Sequence, residues 1–515
     1  MVLLRRGALA ALLLALASLY LWLNGYEELG SGHGDGLIYL VTARHYAPYW
    51  PADALAETWA AATQFPPLYS ALLAATGGTF DFRLAHGATT LCLIGAFAAF
   101  YAWLVRLGIA RARAGAMTVV FGLAPGTFLQ SFYLHPEGLY VALTFTALAL
   151  LALGEERPRA SLYWAASAAV AATILTRTVG VALLPALAIA LIRGRPRAWP
   201  AMLAAAIAPA ALWNFLHDPP WSYADTLRAY YLEAPPEAIL ATLTSSIGSD
   251  ATGLADNLVG STRLRWVVVL LGAIAAGVAL LRFFRARPDA WYVFAYVAVL
   301  VIWPFPEEAR RLSWVLLPFL LGYVAWAGER LAERAPAALR RLRPGLGWAP
   351  VAVLALVVLP EFILLMARAT HPLARAEPAY RHFPEWYEAP LTPAQWLTEV
   401  QRGTMAALRS YGPRIPQGEC AFSTMPLIAA FHTGRDVRPP PLESTDQRTF
   451  EQETRRIGCR YFIFTMDSGR GYLQFHYPLD RVRDRIEILD ERRIEQGGEG
   501  ERLVAALGRF RPGAE

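Results

Sequence analysis

Long apolar runs separated by short arginine-bearing loops fill about the first 370 residues. The runs cover about 7–24, 84–105, 114–133, 137–153, 160–176, 178–193, 198–216, 265–284, 289–303, 312–328 and 348–369. A helix of about 20 apolar residues crosses a hydrocarbon layer about 30 Å thick, and only helices or closed barrels satisfy their backbone there. The pattern therefore predicts an α-helical polytopic membrane protein with about eleven transmembrane helices. The first run follows Arg5 and Arg6, but Trp22-Leu23-Asn24 stands where a small-residue cleavage site would be needed. This reads as a retained span rather than a signal peptide.

Beyond Ala369 the pattern changes. His371-Pro372, Pro378, Pro384, Pro390 and Pro393 mark a linker, and residues 371–515 read as one C-terminal soluble α/β domain. Cys420–Thr424 predicts a strand, Pro426–His432 a short helix stopped by Gly434, Gln447–Ile457 a helix, and Arg460–Phe464 a buried strand. The boundary is placed at about residue 370.

Composition agrees: 56% of residues are hydrophobic and 17% charged, too apolar for a soluble enzyme of 515 residues. The net charge of +6 comes entirely from arginine, with no lysine, and says nothing for nucleic acid. Its distribution sets topology instead. Arg106, Arg111 and Arg113, then Arg157 and Arg159, Arg193–Arg197, Arg282–Arg287 and Arg330–Arg343 all follow even-numbered runs. By the positive-inside bias that side is cytoplasmic, so the N-terminus is inside and the C-terminal domain outside. Two large loops, about 25–83 and 217–263, then face outward.

The outward loops carry the candidate chemistry. Gly30–Gly36 sets Asp35 among glycines beside His33, with Tyr39, Arg44, His45 and Tyr46 following. A carboxylate at a water–lipid boundary can serve as a general base toward a hydroxyl, although Asp is equally a favoured helix cap and a helix starts near Leu37. Gln64-Phe65-Pro66-Pro67-Leu68-Tyr69 precedes an apolar stretch, Leu68–Thr76, too short to span. The 217–263 loop adds Trp221, Tyr223, Tyr230, Tyr231 and Glu233.

His135-Pro136-Glu137 lies where the third run gives way to the fourth, able either to orient a ligand or to stabilise the next helix start. Arg177 interrupts about thirty apolar residues on the side opposite the basic loops. A charge in that position is costly and functional by default. Its partner is either a phosphate, which guanidinium binds bidentately, or a buried carboxylate. Arg310 and Arg311 also sit on the outer side, next to Glu307 and Glu308, which can neutralise them.

No His, Cys, Asp or Glu spacing predicts a metal site, and the glycine-rich stretch lacks the strand and Lys-Ser/Thr of a nucleotide loop. No cofactor is expected. Cys92 falls in an apolar run as a small apolar residue, while Cys420 and Cys459 each begin a predicted strand in an oxidising compartment and can pair.

Taken together, Gly34-Asp35-Gly36 with Tyr39 and Ala43, Phe65–Tyr69 with Leu72-Leu73, Thr176-Arg177 with Gly180 and Pro185, and Arg310-Arg311 with Pro318 resemble a known family. It is the class C (GT-C) glycosyltransferases that use polyprenyl-phosphate sugars, notably the bacterial dolichyl-phosphate-mannose-protein mannosyltransferase-like group, glycosyltransferase family 39, and the lipid A aminoarabinose transferases. Ser131–Leu139, with His135-Pro136-Glu137-Gly138-Leu139, looks more like bacterial relatives of the mannosyltransferases of glycolipid-anchor synthesis. The resemblance covers about residues 1–370.

It implies an inverting transferase in the bacterial inner membrane that moves a sugar from a polyprenyl phosphate to a lipid, glycan or protein acceptor. Asp35 would serve the acceptor, and Glu137 or another outer-loop acid would supply a second carboxylate, because Gly36 stands where the family commonly has another acid. His33, Tyr39, Arg44, Tyr69, His135, Arg177, Arg310 and Arg311 would bind substrate. A transporter or flippase of lipid-linked sugars, with Asp35 and Arg177 as gating charges, predicts inverted repeats that are not seen here. A non-catalytic envelope assembly factor is the third reading.

Overall fold

The computed structural model describes residues 2–24, 34–51, 53–217, 219–220, 222–260, 264–336, 343–441, 447–465, 482–495 and 500–511. His33 and Trp221 lie outside them. The α-helices in the first two thirds of the chain are α1 (Val2–Asn24), α2 (Gly34–Tyr46), α3 (Ala54–Ala62), α4 (Leu68–Ala75), α5 (Phe82–Arg106), α6 (Arg111–Leu123), α7 (Pro125–Gln130), α8 (Glu137–Glu156), α9 (Ala160–Thr176), α10 (Leu183–Gly194), α11 (Trp199–Leu216), α12 (Tyr223–Tyr231), α13 (Pro236–Asp256), α14 (Arg265–Phe284), α15 (Pro288–Val301), α16 (Ala309–Ser313), α17 (Leu317–Arg334) and α18 (Arg343–Ala369). There follow α19 (Pro372–Ala376), α20 (Glu385–Glu388), α21 (Leu391–Tyr411), α22 (Pro426–Thr433) and α23 (Gln447–Ile457).

Seven helical stretches among the described residues are long and apolar enough to cross a membrane, and three shorter apolar ones join them. Each coincides with one of the eleven expected spans. The exception is 114–133, which is two helices: Pro125 holds Ala124 extended at φ −62° and ψ 138°, ending α6 and starting α7. The outer loop 217–263 is also more ordered than its composition suggested. It contains α12, started by a Ser222–Asp225 capping box, and the 21-residue α13, started by Pro236.

The chain divides into two compact units. One comprises residues 1–25, 46–49 and 60–367. Its centre is the packing of α5 on α8, where Phe145 lies between Phe100, Trp103 and Phe319 at ring-centroid distances of 5.5, 5.0 and 4.7 Å. Such pairs add about 0.5–1.5 kcal/mol each beyond the area they bury.

The other unit comprises 26–45, 50–59 and 368–515, so most of α2 groups with the C-terminal region. Its sheet runs β2-β1-β3-β5-β4, with β1 Cys420–Ser423, β2 Asp436–Arg438, β3 Tyr461–Thr465, β4 Ile486–Glu495 and β5 Glu501–Phe510. Strand β1 pairs in parallel with β2 and β3, and β5 runs antiparallel to β3 and β4. Phe422, Phe450, Phe462, Phe464, Ile486 and Phe510 form the core, and Cys420 and Cys459 are joined as a disulfide. The expected strands and helices are present, with α22 ending at Gly434, but the short β2 enters between the two helices, so the expected strand–helix–helix–strand order is interrupted. Helix α21 and the β4–β5 hairpin were not foreseen: β5 carries the alanine-rich run Val504-Ala505-Ala506-Leu507, which has no strand signature of its own.

Candidate functional site: two arginines on one buried carboxylate

Glu137 is the first residue of α8 and its side chain is only 2% exposed. Its Oε1 accepts a hydrogen bond from Arg177 Nη1 at 2.5 Å and lies 3.0 Å from Arg311 Nε. Three charges that the sequence presents as isolated are thus one cluster.

Local structure explains the convergence. Arg177 ends α9 in an extended conformation, φ −150° and ψ 135°, and the chain then turns through a 3-10 helix, Thr178–Ala182. At Gly180 a Cβ would stand 2.8 Å from the Ile174 backbone, so only glycine lets the turn fold back on α9. Arg311 sits on the short α16, which α13 crosses so closely that a Cβ on Gly253 would stand 2.8 Å from the Arg310 backbone. One turn on, Asn257 Nδ2 donates to Arg310 O at 2.7 Å and to Ser313 Oγ at 3.2 Å. Helix α13 therefore fixes the backbone that aims Arg311.

Glu137 also lines a small cavity with Thr89, Gln130, Ser131, His135 and Trp314. The break at Ala124 matters here, since it lets α7 bring Gln130 to the cavity and present Thr127 Oγ1 to Trp314 Nε1 at 3.0 Å. The His135 ring stacks on Tyr133 with centroids 5.0 Å apart. Tyr69, fully buried, shares a 2.7 Å hydrogen bond with Thr89. Behind the cluster, Tyr140 and Tyr292 hydroxyls are 3.0 Å apart and Tyr296 donates to Leu312 O at 3.0 Å.

Arg177 and Arg311 side chains are 13% and 21% exposed, while the Glu308 carboxylate 3.4 Å from Arg311 is 30% exposed and screened by comparison. Among the described residues the cluster sets Arg177 and Arg311 on Glu137, with Glu308 beside Arg311. A guanidinium can bind two oxygens of one anion at once, whether a carboxylate or a phosphate. Among the described residues no three His, Cys, Asp or Glu side chains gather as a metal-binding group.

The first-loop candidates belong to the second unit. Asp35 is the second residue of α2, which begins at Gly34 rather than near Leu37, so its charge lies inside the first turn and favours the helix dipole. Tyr39 is buried. Arg44 Nη1 donates to Asp53 Oδ2 at 3.2 Å, and its guanidinium stands 4.7 Å from the Trp50 ring centre and 4.6 Å from that of Phe431. Asp53 in turn caps α3 through Leu55 and Ala56 amides. Arg44 thus ties α2 to α3 and α22, and burial pulls its guanidinium below the ordinary arginine range.

One acid was missed. Asp250 shares a face of α13 with Ser246, which donates to Trp303 O at 2.8 Å, and with Gly253 and Asn257. Its Oδ2 is covered and has no hydrogen-bond partner among the described residues, and burial pushes the carboxyl up to about 6. The i, i+3, i+7 spacing of Asp250, Gly253 and Asn257 would have shown the face had the segment been read as helix.

Because the folded protein holds this proton up to about pH 6 and an unfolded Asp only to about pH 4, wild-type stability falls as pH rises across that window. Asp250→Asn is therefore expected to melt above wild type at pH 8 and together with it below pH 4. Melting curves in detergent check this; a gap that widens on acidification contradicts it.

No protein-family model matches the sequence, and no curated protein does. Among solved structures the chain is similar to ArnT from Cupriavidus metallidurans bound to undecaprenyl phosphate, with 14% identity over 97% of both chains and a TM-score of 0.47. The apo state of the same protein gives 13% identity, 97% of both chains and 0.48. The Archaeoglobus fulgidus oligosaccharyltransferase tethered to an acceptor peptide gives 12% identity over 96% of this chain and 74% of that one, with 0.47.

Proposed function

We propose that the protein is a membrane glycosyltransferase that moves a sugar from a polyprenyl-phosphate donor to an acceptor outside the cytoplasm. The observation that carries this reading is the Glu137–Arg177–Arg311 cluster: two guanidiniums on one buried carboxylate, at the ends of apolar helices opposite the basic loops. The phosphate of a lipid-linked donor is the anion such a place receives, because its prenyl chain stays in the bilayer while its charge meets the arginines.

In this reading Glu137 is a positioning residue that keeps the two arginines together. Arg177 and Arg311 hold the leaving phosphate and stabilise its charge as the glycosidic bond breaks. Asp35 takes the proton of the acceptor hydroxyl. Attack from the face opposite the phosphate inverts the anomeric centre, and Asp250 is the further outer-loop acid available to the acceptor side. The flippase reading asks for charges near the bilayer midplane, whereas the cluster lies at helix ends.

Deleting the gene and comparing surface glycans, lipids and proteins by mass spectrometry tests the proposal. Loss of one sugar, restored by wild type but not by Asp35→Asn, is the expected result. An unchanged surface inventory overturns it.

A further inference from the structure

A second cavity lies at the other end of the same helices. Glu137 begins α8 and Glu155 and Glu156 end it, which puts the two places about 27 Å apart along the helix at 1.5 Å per residue. The cavity measures about 300 Å³ and gathers five arginines, Arg106, Arg282, Arg285, Arg287 and Arg330, against three carboxylates, Glu155, Glu156 and Asp289. All come from the helix ends that the sequence marks as basic.

The three carboxylates are taken. Asp289, 4% exposed, accepts both Arg282 Nε and Nη2 at 2.8 Å and the Tyr323 hydroxyl at 2.9 Å. Arg287 pairs with Glu155 at 2.7 Å, and Arg106 with Glu156 at 2.9 Å. Of the five arginines, Arg285 alone has no ion-pair partner among the described residues, and Arg330 is held by an acid outside the cavity, Glu333, at 2.6 Å.

Its mouth carries apolar groups as well. Trp326 lines the cavity with Arg330 and Arg282 at 5.2 and 5.8 Å from its ring centre, and beside Arg285 the side chains of Leu281 and Phe284 are 41% and 78% exposed. Tryptophan and arginine above an apolar helix flank mark the headgroup level of a bilayer.

We propose that this cavity binds the phosphate headgroup of an anionic phospholipid from the leaflet on the basic side. The ligand chemistry is a phosphodiester on a lipid: its charge enters between Arg285 and Arg330, and its chains lie along Leu281 and Phe284. Volume fits, at the low end of the about 300–1,000 Å³ of small-molecule sites. The inference rests on the helices crossing a membrane and is independent of glycosyl transfer.

Native mass spectrometry of the full chain, titrated with phosphatidylglycerol or phosphatidylcholine, tests it. Wild type is expected to prefer phosphatidylglycerol, and Arg285→Gln with Arg330→Gln to bind it roughly thirtyfold more weakly, from about 1 kcal/mol per arginine. Arg285→Gln alone breaks no ion pair and is expected to cost about fivefold, which keeps the test open if the double variant does not fold. Arg197→Gln, in a basic loop outside the cavity, is expected to change nothing. Equal binding of the two lipids, an equal loss in Arg197→Gln, or displacement of phosphatidylglycerol by inorganic phosphate at matched concentration overturns the proposal, the last by assigning the cavity to a free anion.

Discussion

Asp35→Asn is expected to lower sugar transfer by about 10²- to 10⁴-fold, the range that a positioned general base contributes. The substitution keeps the shape of the side chain and its capacity to hydrogen-bond, so the first turn of α2, where Asp35 sits, is retained. It removes only the charge and the ability to take a proton. Donor-lipid affinity should stay at the wild-type value if, as proposed, the phosphate meets Arg177 and Arg311. Turnover and donor binding measured on the same preparation separate the two effects. Full turnover in Asp35→Asn removes the residue from the mechanism.

Arg177→Ala is expected to act on binding and stability together. Glu137 then keeps Arg311 at 3.0 Å, so the loss of stability should fall below the about 3–5 kcal/mol that an uncompensated buried charge costs. A charge-assisted contact to the donor phosphate, worth about 1.5–3 kcal/mol, is lost as well, which weakens donor affinity by roughly ten- to a hundredfold. Two companions tell the effects apart. Arg177→Lys keeps the charge without the paired donors, so it should fold yet bind donor less well. Glu137→Gln with Arg177→Gln also takes the buried carboxylate from Arg311 and leaves it Glu308 at 3.4 Å, so it should recover the stability only in part and none of the donor affinity. If donor affinity stays unchanged in Arg177→Ala, the phosphate role is wrong and the arginine serves only Glu137.

How far the sequence went follows from what each element asks of it. A span must be apolar throughout, so ten of the expected spans appear as continuous helical stretches, and the eleventh failed only at Pro125. The alternation of basic and non-basic ends is reproduced in who meets whom: Glu137, Arg177 and Arg311 gather at one set of ends, Glu155, Arg282 and Arg330 at the other.

Helix α13 was not legible because its serines and threonines dilute the apolar signal, and Asp250 was lost with it. Within the site, the cost of a charge such as Arg177 flagged the residue but left carboxylate and phosphate as rival partners. Only the fold could bring Glu137 to it, across 40 residues of chain. Arg44 shows the opposite case: a candidate ligand whose guanidinium the structure commits to Asp53, Trp50 and Phe431.

The central claim is that a polyprenyl-phosphate sugar is cleaved, not merely carried. The direct measurement uses purified protein in proteoliposomes loaded with polyprenyl-phosphate sugars and extracted envelope acceptors, with the lipids followed by mass spectrometry. Sugar-free polyprenyl phosphate is expected to accumulate with wild type and not with Asp35→Asn. Donor lipid that stays intact with every acceptor fraction, or moves between leaflets uncleaved, contradicts it.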